Sequence, residues 1–234
     1  MNSIRAKALL LDIEGTVCPV RFVHDVLFPF ARSRMEAFLD AHWTRPDVAA
    51  ARGFFEQDAG RVFFSPGQLL PVIYEFMDRD AKARGLKALQ GIIWHDGYAS
   101  GHLKAPLYGD VPTSLTAWHK AGLRIDIFSS GSVAAQIDLF SHTSFGDLTP
   151  YLTAYHDTAT GSKREAISYA KIAAAMRLTS GDILFISDIA AELDAARAAG
   201  MNVLLCLREN AAPPVPATSH TMIRSFEDFE VIAG

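Results

Sequence analysis

Hydrophobic and polar positions divide this chain into three regimes. Near the N-terminus, Leu9, Leu10 and Leu11 form a short apolar run that stops at Asp12, with Glu14, Gly15 and Thr16 directly behind it. A run of that length followed by a glycine turn predicts a buried parallel strand ending in a tight loop at the carboxyl edge of a sheet. From Val23 to Trp43 the spacing becomes helical, with Val23, Val26, Leu27, Phe30, Phe38 and Leu39 on the repeat and Pro29 predicting a bend. Pro66 suits a first helical turn, and Leu69, Leu70, Ile73, Phe76 and Met77 behind it follow the pattern of a one-faced helix. The apolar clusters Gly53 to Glu56 and Leu86 to Trp94 extend the same regime. It contains almost no strand signal and reads as an inserted helical domain.

From Tyr108 onward, strand and helix patterns alternate. Asp110 and Pro112 open a helix that turns Leu115, Trp118 and Leu123 toward a sheet and closes at Gly122. Arg124 to Ser130 reads as a strand ending in hydroxyls, and Val133 to Phe140 as a helix whose first amides face back toward them. Ser162 and Glu165 have the spacing of a capping box, which predicts Lys163 in the first turn of a helix running to about Met176. Asp182 to Asp188 is another apolar strand ended by an acid, and Ala190 to Ala199 a helix stopped by Gly200. Val203 to Leu207 supplies a further strand, and Thr221 to Ile232 a last strand and short helix. Ala211 to Pro216 reads as a stiff loop without chemistry of its own. Repeated strand, loop and helix units predict an α/β fold, a doubly wound, Rossmann-like parallel sheet with helices on both faces. The domain boundaries follow: a core from 1–20 and 105–234, and a helical insertion over 21–104.

Composition narrows the function classes. Half of the 234 residues are hydrophobic and 21% are charged, ordinary values for a soluble domain. The formal net charge of −4 provides no general attraction to nucleic acid or to an anionic membrane. Cys18 and Cys206 are the two cysteines, far apart, which gives neither a disulfide framework nor a metal-binding pair and points to a reducing compartment. The first apolar run is too short for a signal peptide, and no window has the length of a membrane span. The expectation is a cytoplasmic protein.

Three predicted strands end in polar groups at the edge where open α/β sheets bind ligands: Asp12 with Glu14, Ser129 with Ser130, and Asp188. Two acids at such an edge can hold a cation and divide nucleophilic from proton-transfer work. Each feature alone has a dull explanation as a turn, a cap or a solvated lysine. Their order along the chain and their shared edge argue against coincidence.

These residues resemble the four motifs of the haloacid dehalogenase-like hydrolases: Asp12-Ile13-Glu14-Gly15-Thr16 the first, Ser129 the second, Lys163 the third, and Asp188 with Glu192 the fourth. Glutamate at position 14, FVHDVLFP from Phe22, LQGIIW from Leu89, YGDVP from Tyr108, SSGSVAAQ from Ser129 and ELDAA from Glu192 are closer still to the enolase-phosphatases of methionine salvage. That resemblance runs over nearly the whole chain and implies a phosphorylated diketone as substrate. It implies Asp12 as nucleophile, one Mg²⁺ held by Asp12, Asp188 and the backbone carbonyl of Glu14, and phosphoryl oxygens held by Ser129, Ser130 and Lys163. Glu14 is implied as the acid and base of the phosphatase half and is the first choice for the base of the enolisation. The insertion becomes a cap, and the chain is expected to be a monomer.

Val17, Cys18, Arg21 and His102 depart from the family pattern outside its motif positions. His24 and His95 fall in the insertion, where a lone histidine among aromatics is more often a structural hydrogen-bonding group than a ligand. Another phosphatase of the same superfamily, or a silent binding module on the same fold, are the competing readings. A silent module is expected to lack Asp12 or Lys163, and the chain has both.

Overall fold

Residues 2–81, 83–208 and 220–234 are described by the computed structural model. The loop expected at Ala211 to Pro216 lies outside the described residues. The chain divides into two units, Arg21–Lys104 on one side and Met1–Val20 with Ala105–Gly234 on the other.

Among the described residues of the Arg21–Lys104 unit, every regular element is a helix. A π-helical stretch, Phe22–Leu27, runs straight into α1, Phe28–His42, and is followed by α2, Pro46–Ala59, α3, Pro66–Asp78, and α4, Arg84–Ala99. Pro29, where a bend was expected, sits one residue past this change of helix type, in the first turn of α1, and gives up one amide of an otherwise continuous helix. One side of each helix is buried: Ala31, Met35 and Leu39 from α1, Val48, Ala51 and Phe55 from α2, Leu69 and Ile73 from α3, Leu86, Leu89 and Ile93 from α4. α2 and α4 cross closely because Gly85 has no side chain. A Cβ there would stand 2.5 Å from the Phe55 ring.

The second unit is built on a six-stranded parallel sheet of order β4-β3-β2-β5-β6-β7. Its strands are β2, Ala8–Leu11, β3, Arg124–Phe128, β4, Ala154–His156, β5, Ile183–Ser187, β6, Asn202–Cys206, and β7, Met222–Ile223. The flanking helices are α5, Val111–Lys120, α6, Val133–Ser141, α7, Ala166–Met176, and α8, Ala190–Ala198. The fully buried run of β2 puts it at the centre, between β3 and β5, as a strand covered on both faces requires. Leu10, Phe128, Phe185 and Leu205 share one core with Tyr169, Ile172, Leu193 and Ala196 from α7 and α8.

Three elements escape the sequence pattern. β1, Asn2–Ala6, pairs in parallel with β8, Phe229–Ala233, in a separate two-stranded sheet, and β4 is a three-residue edge strand. The Thr221 to Ile232 segment holds the expected strand, β7, and short helix, a single 3₁₀ turn over Phe226–Asp228, and adds most of a second strand, β8. The capping box is also corrected. α7 starts at Ala166, after Glu165, and the amide of Glu165 donates to the Ser162 carbonyl while the Ser162 hydroxyl accepts from Arg164. Ser162 thus closes a turn ahead of the helix, and Lys163 lies in that turn. No helix among the described residues is long and apolar enough to cross a membrane.

Candidate active site

The parallel register pairs Leu11 with Ile127 on one side and Ile186 on the other, so β2, β3 and β5 stop at nearly the same level. Asp12, Ser129 and Asp188 follow their last residues and gather at the carboxyl edge. The Asp12 amide donates to the Ile186 carbonyl at 3.0 Å, which fixes the first residue beyond the strand. The loop behind it folds on itself. The Ile13 carbonyl accepts the amides of Thr16, Val17 and Cys18, and the Gly15 amide donates to the Cys18 carbonyl at 2.8 Å. Gly15 has φ +78, a left-handed conformation, and a Cβ there would stand 2.6 Å from the Asp188 carboxyl carbon. Glycine is required twice over: to turn the chain, and to admit Asp188 against the loop.

Lys163 is the cation of the cluster. Its ammonium lies 2.5 Å from Asp12 Oδ1 and 2.7 Å from Glu192 Oε2, and it is 10% exposed. The turn that carries it is held from below, where the Tyr169 hydroxyl donates to the Lys163 carbonyl at 2.7 Å. Tyr169 is itself fixed against the Phe128 and Phe185 rings. Ser187 reaches both Asp12 Oδ2, at 3.3 Å, and Glu192 Oε2, at 3.0 Å. Its single proton can serve one of them at a time.

The Ser129 hydroxyl lies 3.2 Å from Glu14 Oε2 and accepts the Gly131 amide at 3.1 Å. Gln136 steadies that loop by donating to the carbonyls of Gly131 and His156, both at 2.9 Å. Ser130 follows on the exposed side. The first amides of α6 are not all turned to the edge: Val133 donates to Asp157 Oδ2, and Ala135 to the Ser132 hydroxyl.

Four carboxylates against one ammonium give the site an excess of negative charge, and its titration follows. Burial raises the Glu14 carboxyl above its ordinary value, and the Asp12 charge raises it further. Burial, then Asp12 and Glu192, push Asp188 up to about 7. Glu192 is raised by burial and by Asp12, although Lys163 and Ser187 pull it down. Burial alone would depress Lys163, but Asp12 and Glu192 more than offset it and hold the lysine charged. The Cys18 thiol is pushed far up by burial and by Glu14, so it stays protonated and inert.

The donor set suits a hard divalent cation. Carboxylate oxygens outnumber positive charges, and the Gly15 cradle brings the Asp188 carboxyl beside the loop that follows Asp12. Among the described residues no three His, Cys, Asp or Glu side chains form a coordination group by themselves.

Of the residues singled out from the sequence, Asp12 meets Lys163, and Glu14 meets Ser129. Glu192, singled out with Asp188 as the fourth motif, and Ser187, which the sequence reading missed, complete the cluster. Glu192 is four residues beyond Asp188, one helical turn on, and that spacing was the available signal. Ser187 carries no such mark, because a serine ending a strand looks like any helix-entry residue. In the helical unit, the His24 ring packs edge-on against Phe28 at 5.6 Å.

A family model for haloacid dehalogenase-like hydrolases matches residues 6–200. The chain belongs to this family. Within these hydrolases it falls among the enolase-phosphatase E1 proteins. It is 46% identical over 230 residues to the Enolase-phosphatase E1 of Sorangium cellulosum, a match covering 97% of this chain and 99% of that one. The Enolase-phosphatase E1 of Gluconobacter oxydans is 48% identical over 204 residues, covering 87% of each chain. Among solved structures, the UTR4 protein of Saccharomyces cerevisiae superposes with a TM-score of 0.80 at 35% identity, covering 95% of this hydrolase and 99% of that chain.

Proposed function

We propose that this hydrolase is an enolase-phosphatase of methionine salvage. It converts 2,3-diketo-5-methylthiopentyl 1-phosphate to the acireductone 1,2-dihydroxy-3-keto-5-methylthiopentene by enolisation and dephosphorylation. The observation that carries the phosphatase half is Asp12 at the end of the central strand, with Lys163 on one carboxylate oxygen and Ser187 on the other. Likeness to enolase-phosphatases over nearly the full length carries the choice of substrate.

In this reading the Asp12 carboxylate attacks phosphorus, forms an aspartyl-phosphate and expels the C1 oxygen, so that one difficult displacement becomes two easier ones. Lys163 offsets the charge of the phosphoryl oxygens, and Ser129 and Ser130 donate hydrogen bonds to them. Glu14 serves both halves. As a carboxylate it takes the proton from C1, and the electron pair passes to the C2 oxygen as an enolate that is protonated from solvent. As the resulting acid it delivers the C1 proton to the C1 oxygen as the P–O bond breaks. C1 and its oxygen are bonded to each other, so one carboxyl reaches both. Its raised affinity for protons, caused by burial and Asp12, suits it to hold the proton between the two events. It then activates the water that hydrolyses the aspartyl-phosphate. Mg²⁺ bound by Asp12, Asp188 and the Glu14 carbonyl would supply the further positive charge that lets a carboxylate approach a phosphate dianion.

The same reading places the chain in the cytoplasm as a monomer, in keeping with two cysteines that are both buried and unpaired. Steady-state turnover of the diketo phosphate with Mg²⁺ tests the proposal. Wild type should hydrolyse it, and Asp12→Asn should lose activity by about 10³-fold or more. Phosphate release that survives the substitution would overturn the covalent mechanism.

A further inference from the structure

The YGDVP block from Tyr108 to Pro112 and the buried Arg208 take no part in the chemistry above. In the structure they meet at the nucleophile loop. Arg208 is 6% exposed, with its guanidinium between the rings of Tyr108, at 4.5 Å, and Phe226, at 4.7 Å. Its Nε and Nη2 both donate to the Thr16 carbonyl, at 3.0 and 2.8 Å. Its Nη1 donates to Asp110 Oδ2 at 2.7 Å and to the Arg224 carbonyl at 3.2 Å. Asp110 Oδ2 is held in turn by the Ser225 hydroxyl at 3.0 Å and the Phe226 amide at 2.6 Å. Tyr108 adds a second tie, its amide donating to the Val17 carbonyl at 3.1 Å.

A buried cation is tolerated where it is paired and hydrogen-bonded, and here Asp110 pairs the charge while two of the three donor nitrogens converge on the Thr16 carbonyl of the nucleophile loop. That loop is closed on itself through the Ile13 and Cys18 carbonyls. Asp12 is pinned separately, by its bond to Ile186. Glu14, two residues before Thr16, belongs to that loop, bridging to Cys18 within it and placing its carboxyl 3.2 Å from the Ser129 hydroxyl.

We propose that Arg208, clamped by Asp110 and Tyr108, is a positioning residue that sets the rotation of the 13–18 loop and thereby the placement of the Glu14 carboxyl. The proposal rests on the reading of Asp12 as nucleophile and Glu14 as acid and base. A lysine would keep the charge but not the planar fork stacked between two rings, so it should not hold the Thr16 carbonyl from two directions.

The test compares wild type, Arg208→Lys, Asp110→Asn and the double variant in the full chain. It uses amide hydrogen exchange and steady-state kinetics with both p-nitrophenyl phosphate and the diketo phosphate. For Arg208→Lys, exchange of the 13–18 amides should rise by about tenfold or more while β5 amides stay at wild-type rates. The kcat should fall by about ten- to a hundredfold with KM within about twofold. Asp110→Asn, which keeps the side-chain size, should shift both readouts in the same direction by less, and it carries the test if Arg208→Lys does not fold. The double variant should be no worse than Arg208→Lys, because both act through the same contact. Wild-type exchange in the loop, a rise in KM at unchanged kcat, or protection lost evenly from the loop and β5 would each overturn the proposal. Wild-type turnover of p-nitrophenyl phosphate without turnover of the diketo phosphate would count against the enolase-phosphatase reading alone, since the loop exchange still reports on Arg208.

Discussion

At the scale of single residues, the site is a concentration of like charge held together by one lysine. Asp188 illustrates the energetic consequence. Its carboxyl titrates at about 7 in the folded chain, because it is buried beside Asp12 and Glu192, and near the ordinary carboxylate value when unfolded. The folded state therefore holds a proton that the unfolded state has released. The stability this provides is full below the unfolded value and is lost as pH rises through the folded one. Asp188→Asn removes that dependence. The metal-free variant should exceed wild type in unfolding free energy at pH 8 by about 1–3 kcal/mol, with the difference vanishing near pH ~4. Denaturant unfolding at the two pH values checks this. A variant less stable than wild type at pH 8 would mean that the carboxylate is accommodated without strain. Charges assembled for chemistry at this edge are thus a cost to the fold.

At the scale of elements, the four helices of Arg21–Lys104 follow their sequence periodicity, and three of the four carry a proline in the first turn. What periodicity does not reveal is how closely they cross. Glycine within a helix is normally worse than alanine by about 1 kcal/mol. Gly85→Ala should reverse that sign, since its Cβ would meet the Phe55 ring at 2.5 Å and the Ala51 carbonyl at 3.1 Å, and should destabilise by about 1–3 kcal/mol. Gly91→Ala, on the same helix with nothing within 4 Å of its Cβ, should be neutral or stabilising. Chemical denaturation of the two variants side by side reads the difference, and equal effects would remove the crossing from the account. The same distinction explains the strands. β2, β3, β5 and β6 are visible as apolar runs because the sheet buries them on both faces. β1 and β4 are short segments of mixed character, Asn2–Ala6 and Ala154–His156, that become strands by pairing with a partner.

At the scale of the whole molecule, folding brings together proposed metal ligands that are distant in the chain. Asp12 and Asp188 approach because β2 and β5 are neighbours in the sheet, so a cation that uses both binds the folded state and not the unfolded one. Mg²⁺ at about 100 times its dissociation constant should stabilise by about 2.7 kcal/mol. That corresponds to a rise of roughly 5–10 °C in Tm for a chain of this size. Asp188→Asn should abolish the shift, and a wild-type Tm indifferent to Mg²⁺ but sensitive to general ionic strength would overturn the proposed ligand set.

The sequence alone determined the parallel α/β core and the helical insertion, because each is written locally, and the resemblance of its motifs implied the reaction class. Apolar runs of strand length and helical periodicity need no partner to be read. The tertiary structure decided what lies between distant segments. It placed Lys163 in a turn ahead of α7 rather than inside it, joined Glu192 to Asp12 through Lys163 and Ser187, and set Arg208 behind Thr16. The physical reason is the same in each case. A side chain's partner across a sheet or loop is fixed by strand order and register, and those follow from packing the whole core rather than from any one stretch of the chain.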